Sequence, residues 1–187
     1  DQGRHQRVAA WLAELPKESV AVNAWLSYWL GTTQLPSDAP LAERSFEHCY
    51  ESFSKTNDDI GCLFAAQGVV LAITAQVGRF RRLDRWIAVL ADKLPTMRPQ
   101  TAPATRLKAW YTFLYAAHLQ NPDHPLVPTG LQAVKELLFS DALSDNQKLD
   151  AGTALIIYAW LIPDTHLAQQ VDAAVAQIGA REDAAPI

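Results

Sequence analysis

The chain reads as an all-α protein, a right-handed α-α superhelix with about eight to nine helices packed as antiparallel pairs. Three observations lead there. Helical periodicity is nearly continuous, strand signals are almost absent, and an aromatic-rich helix followed by a break and an amphipathic helix recurs along the chain. Strands would need alternating apolar residues and tight Asn-Gly turns, and neither is present.

The first expected helix runs from about Arg4 to Leu15, with Val8, Trp11, Leu12 and Leu15 on one face and Pro16 as its stop. The second carries Val22, Trp25, Leu26, Trp29 and Leu30, and Gly31 is expected to cap its end. Pro36-Ser37-Asp38 forms a turn. A third helix then aligns Ala42, Phe46, Cys49, Tyr50 and Phe53, with Pro40 tolerated in its first turn.

The clearest pair spans Phe53 to Leu94. Asn57-Asp58 opens a helix through Ile60, Leu63, Phe64, Gln67, Gly68, Leu71 and Ala75, and Gly78 ends it. Its apolar residues also lie off that stripe, at Ala65, Ala66, Val69, Val70 and Ile73, so it is expected to be covered on several sides. The partner helix uses Phe80, Leu83, Ile87, Leu90, Ala91 and Leu94 and closes at Pro95. Asp58 or Asn57 supplies acceptors for the amides of the helix start. Gly68 is expected where two helices cross too closely for a Cβ, and Gly78 where the backbone turns left-handed.

A sixth helix from near Pro103 places Leu107, Trp110, Tyr111, Leu114, Tyr115 and His118 on a stripe, broken by Asn121-Pro122 and Pro125. A seventh starts at about Thr129 with Leu131, Val134 and Leu138. Ser144 and Gln147 form a capping-box pattern opening an eighth, through Leu149, Gly152, Leu155, Ile156, Ala159 and Trp160. Pro163-Asp164 starts the last, with Leu167, Val171, Ala174, Val175 and Ile178. The first helices of successive pairs centre near Trp25, Phe64, Trp110 and Tyr158. Their spacing exceeds the ideal tetratricopeptide period of about 34 residues, so the repeats are degenerate.

Composition bounds the role. The 187 residues suit a single domain, and an apolar content of 49% excludes wholesale disorder. A net charge of −4 gives no basic surface for gripping phosphates, so direct nucleic-acid contact is not expected. No apolar run is long enough for a membrane span, and the polar N-terminus carries no export signal. With two cysteines, Cys49 and Cys62, expected as reduced core thiols, the compartment reads as cytoplasmic. A start at Asp1, with Met97 the sole methionine, suggests a piece of a longer polypeptide.

The segment Phe46 to Trp86, FEHCYESFSKTNDDIGCLFAAQGVVLAITAQVGRFRRLDRW, resembles the repeats of large bacterial transcriptional regulators of the maltose-activator type. The matching residues are Tyr50, Phe53, Asn57, Asp58, Gly61, Gly68, Gly78 and Phe80. Asn57 stands where Gly-Asp is usual in such repeats, and about three extra residues separate Gly68 from Gly78 relative to a tetratricopeptide unit. The resemblance implies a sensor or scaffold segment of a signalling regulator. Its ATPase and DNA-binding parts would lie outside this segment, and its concave face would take a protein segment or a small-molecule inducer. A self-association or interdomain module is the alternative, and an all-α enzyme or metal protein the third.

Candidate chemistry is sparse. No phosphate loop, dinucleotide fingerprint, nucleophile elbow or zinc-helix motif occurs, and neither catalytic residues, a cofactor nor a metal is expected. His118 and His124 flank Asp123 but lack helical zinc spacing, which favours a structural reading. The densest charge is Arg79, Arg81, Arg82 and Arg85, at the start of a helix where the dipole favours anions. These arginines are candidates for an acidic partner, against the plainer reading of a solvated face partly compensated by Asp84. Trp25, Tyr28, Trp29, Trp110, Tyr111, Tyr115, Tyr158 and Trp160 fall on first-of-pair helices. Tyr28, Tyr111, Tyr115 and Tyr158 are the candidates for an open groove, since a phenol favours a wet or bonded hydroxyl, although large side chains on a stripe more often fill a core.

Overall fold

The computed structural model describes residues 2–78, 80–98 and 100–149, and helical positions at 166, 169, 170, 172, 173 and 176. Among these residues every regular element is helical. In order they are α1 (Gln2–Glu14), α2 (Lys17–Val22), α3 (Ala24–Gln34), α4 (Ala39–Lys55), α5 (Asp59–Ala75), α6 (Leu83–Lys93), α7 (Pro103–Gln120) and α8 (Val127–Leu138). Short 3-10 turns, Phe80–Arg82 and Leu94–Thr96, flank α6. The helices form two compact units, Asp1–Lys93 and Leu94–Ile187, each with its own packing.

In the first unit Pro16 separates α1 from α2, as its missing amide requires. The helix expected from Val22 to Gly31 is corrected at both ends. Asn23 is extended (φ −98°, ψ 110°), so Val22 ends α2, and the Asn23 side chain accepts from the amides of Trp25 (3.0 Å) and Leu26 (3.1 Å) to start α3. Gly31 does not end that helix. It lies within α3, where an added Cβ would come 2.9 Å from the Phe46 ring. Its role is to admit α4, and the chain leaves the helix after Gln34.

Helices α3, α4 and α5 alternate in direction. Trp25 near the start of α3 meets Phe53 near the end of α4, with ring centroids 4.8 Å apart. Phe53 in turn covers Gly61 near the start of α5, and Phe46 covers Gly68 further along. Two bare α-carbons therefore seat two rings, and α4 and α5 approach closely along their length. The expected close crossing at Gly68 is present.

The turn between α4 and α5 follows its sequence. Asn57 takes a left-handed φ of +55°, which Asn tolerates better than most residues. Asp58 then accepts from the Gly61 amide at 2.8 Å, closing the first turn of α5. Helix α5 is buried around most of its girth, including Leu63, Ala65, Ala66, Val69, Val70, Ala72 and Ile73. Burying each larger aliphatic contributes about 1.5–3 kcal/mol. Beyond α5, Gly78 has φ +92°, as its position in the loop demands. A bond of 2.8 Å from Lys93 to Asp59 joins the end of α6 to the start of α5.

In the second unit α7 begins with Pro103 in its first turn. Gly130 of α8 sits against Trp110 and Leu114 of α7. Helix α8 starts two residues earlier than expected, at Val127, because the amide of Val127 already bonds back to the His124 carbonyl at 2.9 Å. The capping box forms in both directions: the Ser144 amide donates to Gln147 Oε1 (3.0 Å) and the Gln147 amide to Ser144 Oγ (3.4 Å). The helix it opens is described through residue 149. Gly152, Leu155, Ile156, Tyr158, Ala159, Trp160 and the break at Pro163 lie outside the described residues.

Candidate functional site

Two features of the first unit stand out from its apolar packing: a carboxylate-arginine network joining α4 to the end of α5 and to the 3-10 turn before α6, and an aromatic group on α3. The network is centred on Glu43, an acidic residue that is only 2% exposed. Its Oε1 pairs with Arg82 Nη2, and its Oε2 accepts from Gln76 Nε2 at 2.6 Å. Gln76 Nε2 also donates to the Ala72 carbonyl at 3.0 Å, which fixes the amide in place. One buried carboxylate thus holds the end of α5 and the 3-10 turn before α6 against α4.

The arginine cluster divides accordingly. Arg82 is committed to Glu43, with its side chain still 44% exposed. Arg85 lays its guanidinium 4.8 Å over the Trp86 ring, a cation–π contact. Arg81 is exposed, and Arg79 lies outside the described residues. Glu47 stands one turn along α4 from Glu43. Burial and the neighbouring Glu43 push its carboxyl above the usual range, while Arg82 and Arg85 pull the other way. Of the positive charge read from the sequence, Arg82 is answered by a carboxylate of α4. Glu43 carried the signal that could have revealed this, since it is a charged residue set beside Ala42 and Phe46 on the inward stripe.

The aromatic candidates separate by burial. Tyr28 is not open to a groove, which corrects that expectation: it is 8% exposed and its ring meets Trp25, Trp29, Phe46 and Phe64 edge-on or tilted. Burial pushes its phenol above its ordinary pKa, with a hydrogen bond from Thr32 acting against the shift. Tyr111 and Tyr115 on α7 are half-buried. Tyr158 lies outside the described residues. The exposed rings are instead Trp25 and Trp29, at 38% and 47%.

His124 accepts the Leu126 amide on Nδ1 at 3.2 Å and stands edge-on to Phe113, so it shapes the turn into α8. Burial lowers the pKa of His118. Among the described residues no group of three or more His, Cys, Asp or Glu side chains could hold a metal ion. Both cysteines are buried free thiols. Burial pushes Cys49 up to about 12, and Cys62 Sγ lies 3.4 Å from Ser54 Oγ. Cys49 therefore lacks the lowered pKa of a reactive thiol.

Gln67 escaped the sequence reading as anything but an apolar-stripe member. It is 2% exposed, and neither its amide oxygen nor its nitrogen has a hydrogen-bond partner. Among the described residues no helix is long and apolar enough to cross a membrane. Compared with family models, curated proteins and solved structures, the chain finds no match.

Proposed function

We propose that this chain is a non-catalytic helical-repeat segment, a sensor or scaffold of a bacterial signalling regulator that binds a protein segment or an inducer. In this reading the α3–α4 and α5–α6 hairpins are turns of a right-handed superhelix, and first-of-pair helices line its concave face. The observation that carries it is the α4–α5 joint. Phe53 over Gly61, Asn57 in the left-handed region, Asp58 capping α5 and Gly78 at positive φ are the same residues that gave the repeat resemblance. Each specifies how helices stack and none performs chemistry, which suits a fold that presents surfaces. Binding would act by favouring one packing of neighbouring hairpins over another. The test is a thermal-shift screen of inducer-sized metabolites, together with capture by candidate domains of a parent regulator. A stabilising ligand, or a partner whose binding is lost on changing exposed first-of-pair aromatics such as Trp29, supports the reading. A folded domain that responds to neither removes it.

A further inference from the structure

From residue 74 to residue 82 no described residue is buried, although Ile73 before this stretch and Leu83 after it are fully enclosed. The stretch runs from the end of α5 to the 3-10 turn Phe80–Arg82, and no apolar anchor holds it down. Its backbone is not relaxed either. Val77 has φ +21°, a region a β-branched side chain rarely enters, and Gly78 follows at +92°. Both ends are tied to α4 by one side chain, Glu43. Gln76 donates to its Oε2 at 2.6 Å, and Arg82 pairs with its Oε1. Contacts assisted by charge are roughly twice as strong as neutral ones, so neutralising this carboxylate weakens both ties at once.

We propose that Glu43 is the pin of a proton-operated latch: its carboxylate fastens the end of α5 and the 3-10 turn to α4, and a proton on it releases both together. The groups around it leave this role to Glu43. Helix α3 packs on α4 and brings no charge, its titratable group being the Tyr28 phenol. Helix α5 brings the Cys62 thiol and Asp59, both toward its opposite end, with Asp59 bonded to Lys93. The 3-10 turn and the start of α6 bring Arg81, Arg82, Asp84 and Arg85. On α4 itself Arg44 and His48 are near in sequence, and Glu47 and Glu51 follow Glu43 at one-turn steps. Arg82 is 44% exposed, so water takes over its guanidinium once the carboxyl is neutral. Release stays local. Helices α4 and α5 remain seated through Phe53 on Gly61 and Phe46 on Gly68, and α6 through buried Leu83, Trp86, Ile87 and Leu90, none of which titrates.

An NMR pH titration of the whole chain, following the Gln76 side-chain amide and the Arg82 Nε–H, reads the latch. Both signals should move with one common midpoint as pH falls from ~7 to ~4, the range in which carboxylates take up protons. Backbone signals from the middle of α4 and α5 should stay in place. Glu43→Gln keeps the shape of the side chain and removes its charge. In that variant both signals should be flat over the same range. Trypsin should cut it after Arg81 and Arg82 at least ~10-fold faster than the wild type, with helical circular dichroism unchanged, because cleavage tracks the population of the open form. If Glu43→Gln does not fold, the wild-type titration decides alone. Separate midpoints for the two signals, signals that move only when the whole chain unfolds, or a folded Glu43→Gln cut at the wild-type rate would each overturn the latch.

Discussion

Replacing Gly68 with alanine should destabilise the first unit, although alanine is the better helix former. In an exposed helix interior the change would gain about 1 kcal/mol from lower backbone entropy in the unfolded chain and better propensity. At position 68 the new Cβ would lie 2.5, 2.6 and 2.7 Å from Cδ1, Cγ and Cε1 of Phe46. Three ring atoms are involved, not the end of a flexible chain. The ring is 2% exposed, so it has no open side to rotate toward. Overpacking of this kind costs about 1–3 kcal/mol in well-packed cores and more where nothing yields. Subtracting the propensity gain leaves a net loss of up to about 2 kcal/mol, or up to roughly 8 °C in Tm for a chain of this size. Urea unfolding followed by far-UV circular dichroism measures it. Adding Phe46→Leu to Gly68→Ala should cost less than the sum of the two single changes, because the smaller side chain frees the space. Gly130→Ala, whose Cβ would come no nearer than 3.0 Å to Leu114 Cδ2 and 3.1 Å to Trp110 Cε3, should cost less than Gly68→Ala. A Gly68→Ala protein as stable as the wild type, or more so, would refute the seating of Phe46 on that glycine.

Gln67→Leu should raise stability by about 1–3 kcal/mol, because it removes a buried amide with no partner; a loss in urea titration would show that the amide is bonded in solution. Arg82→Ala should cost about 1–3 kcal/mol by leaving Glu43 buried without its cation, below the usual figure for a broken buried pair because water reaches Arg82. Restoring the loss with Glu43→Leu in the same chain is the check. His118 titrates lower in the folded state than its ordinary 6.5, so the unfolded chain binds more protons just below that value. Its share of stability is full above pH ~6.5 and declines as pH falls toward the folded pKa, and His118→Asn should flatten the change in Tm between pH 7.5 and 5.5. Cys49 and Cys62 should resist alkylation at pH 8 until urea unfolds the chain, since both are buried and the Cys49 thiol is pushed up to about 12.

The all-helical class was legible because 3.6-residue periodicity is a property of local sequence. So were the α4–α5 turn and the Ser144–Gln147 box, where short-range hydrogen bonds settle the conformation within four residues. Gly31 shows where such reading stops: glycine ends helices and also admits neighbours, and only the ring of Phe46 on another helix decides between the two. Tyr28 failed for a related reason. Helix α3 is apolar around its circumference, so its sequence does not say which aromatic faces the core. The Glu43–Arg82 pair joins residues far apart in the chain, which a charge count along one helix does not reveal. Gln67 looked like an ordinary member of a stripe, and its isolation is a fact of its surroundings.

The ring of Phe46 lies against two helices at once, at Gly31 of α3 and Gly68 of α5, close enough to both that neither could carry a Cβ without displacing it. A wedge shared in this way ties the loosening of either contact to the other. Amide hydrogens in the middle of α3, α4 and α5 should then exchange with solvent at one common rate, through a single event that releases all three. Fraying of one helix at a time is confined to segments beyond the wedge, such as α1.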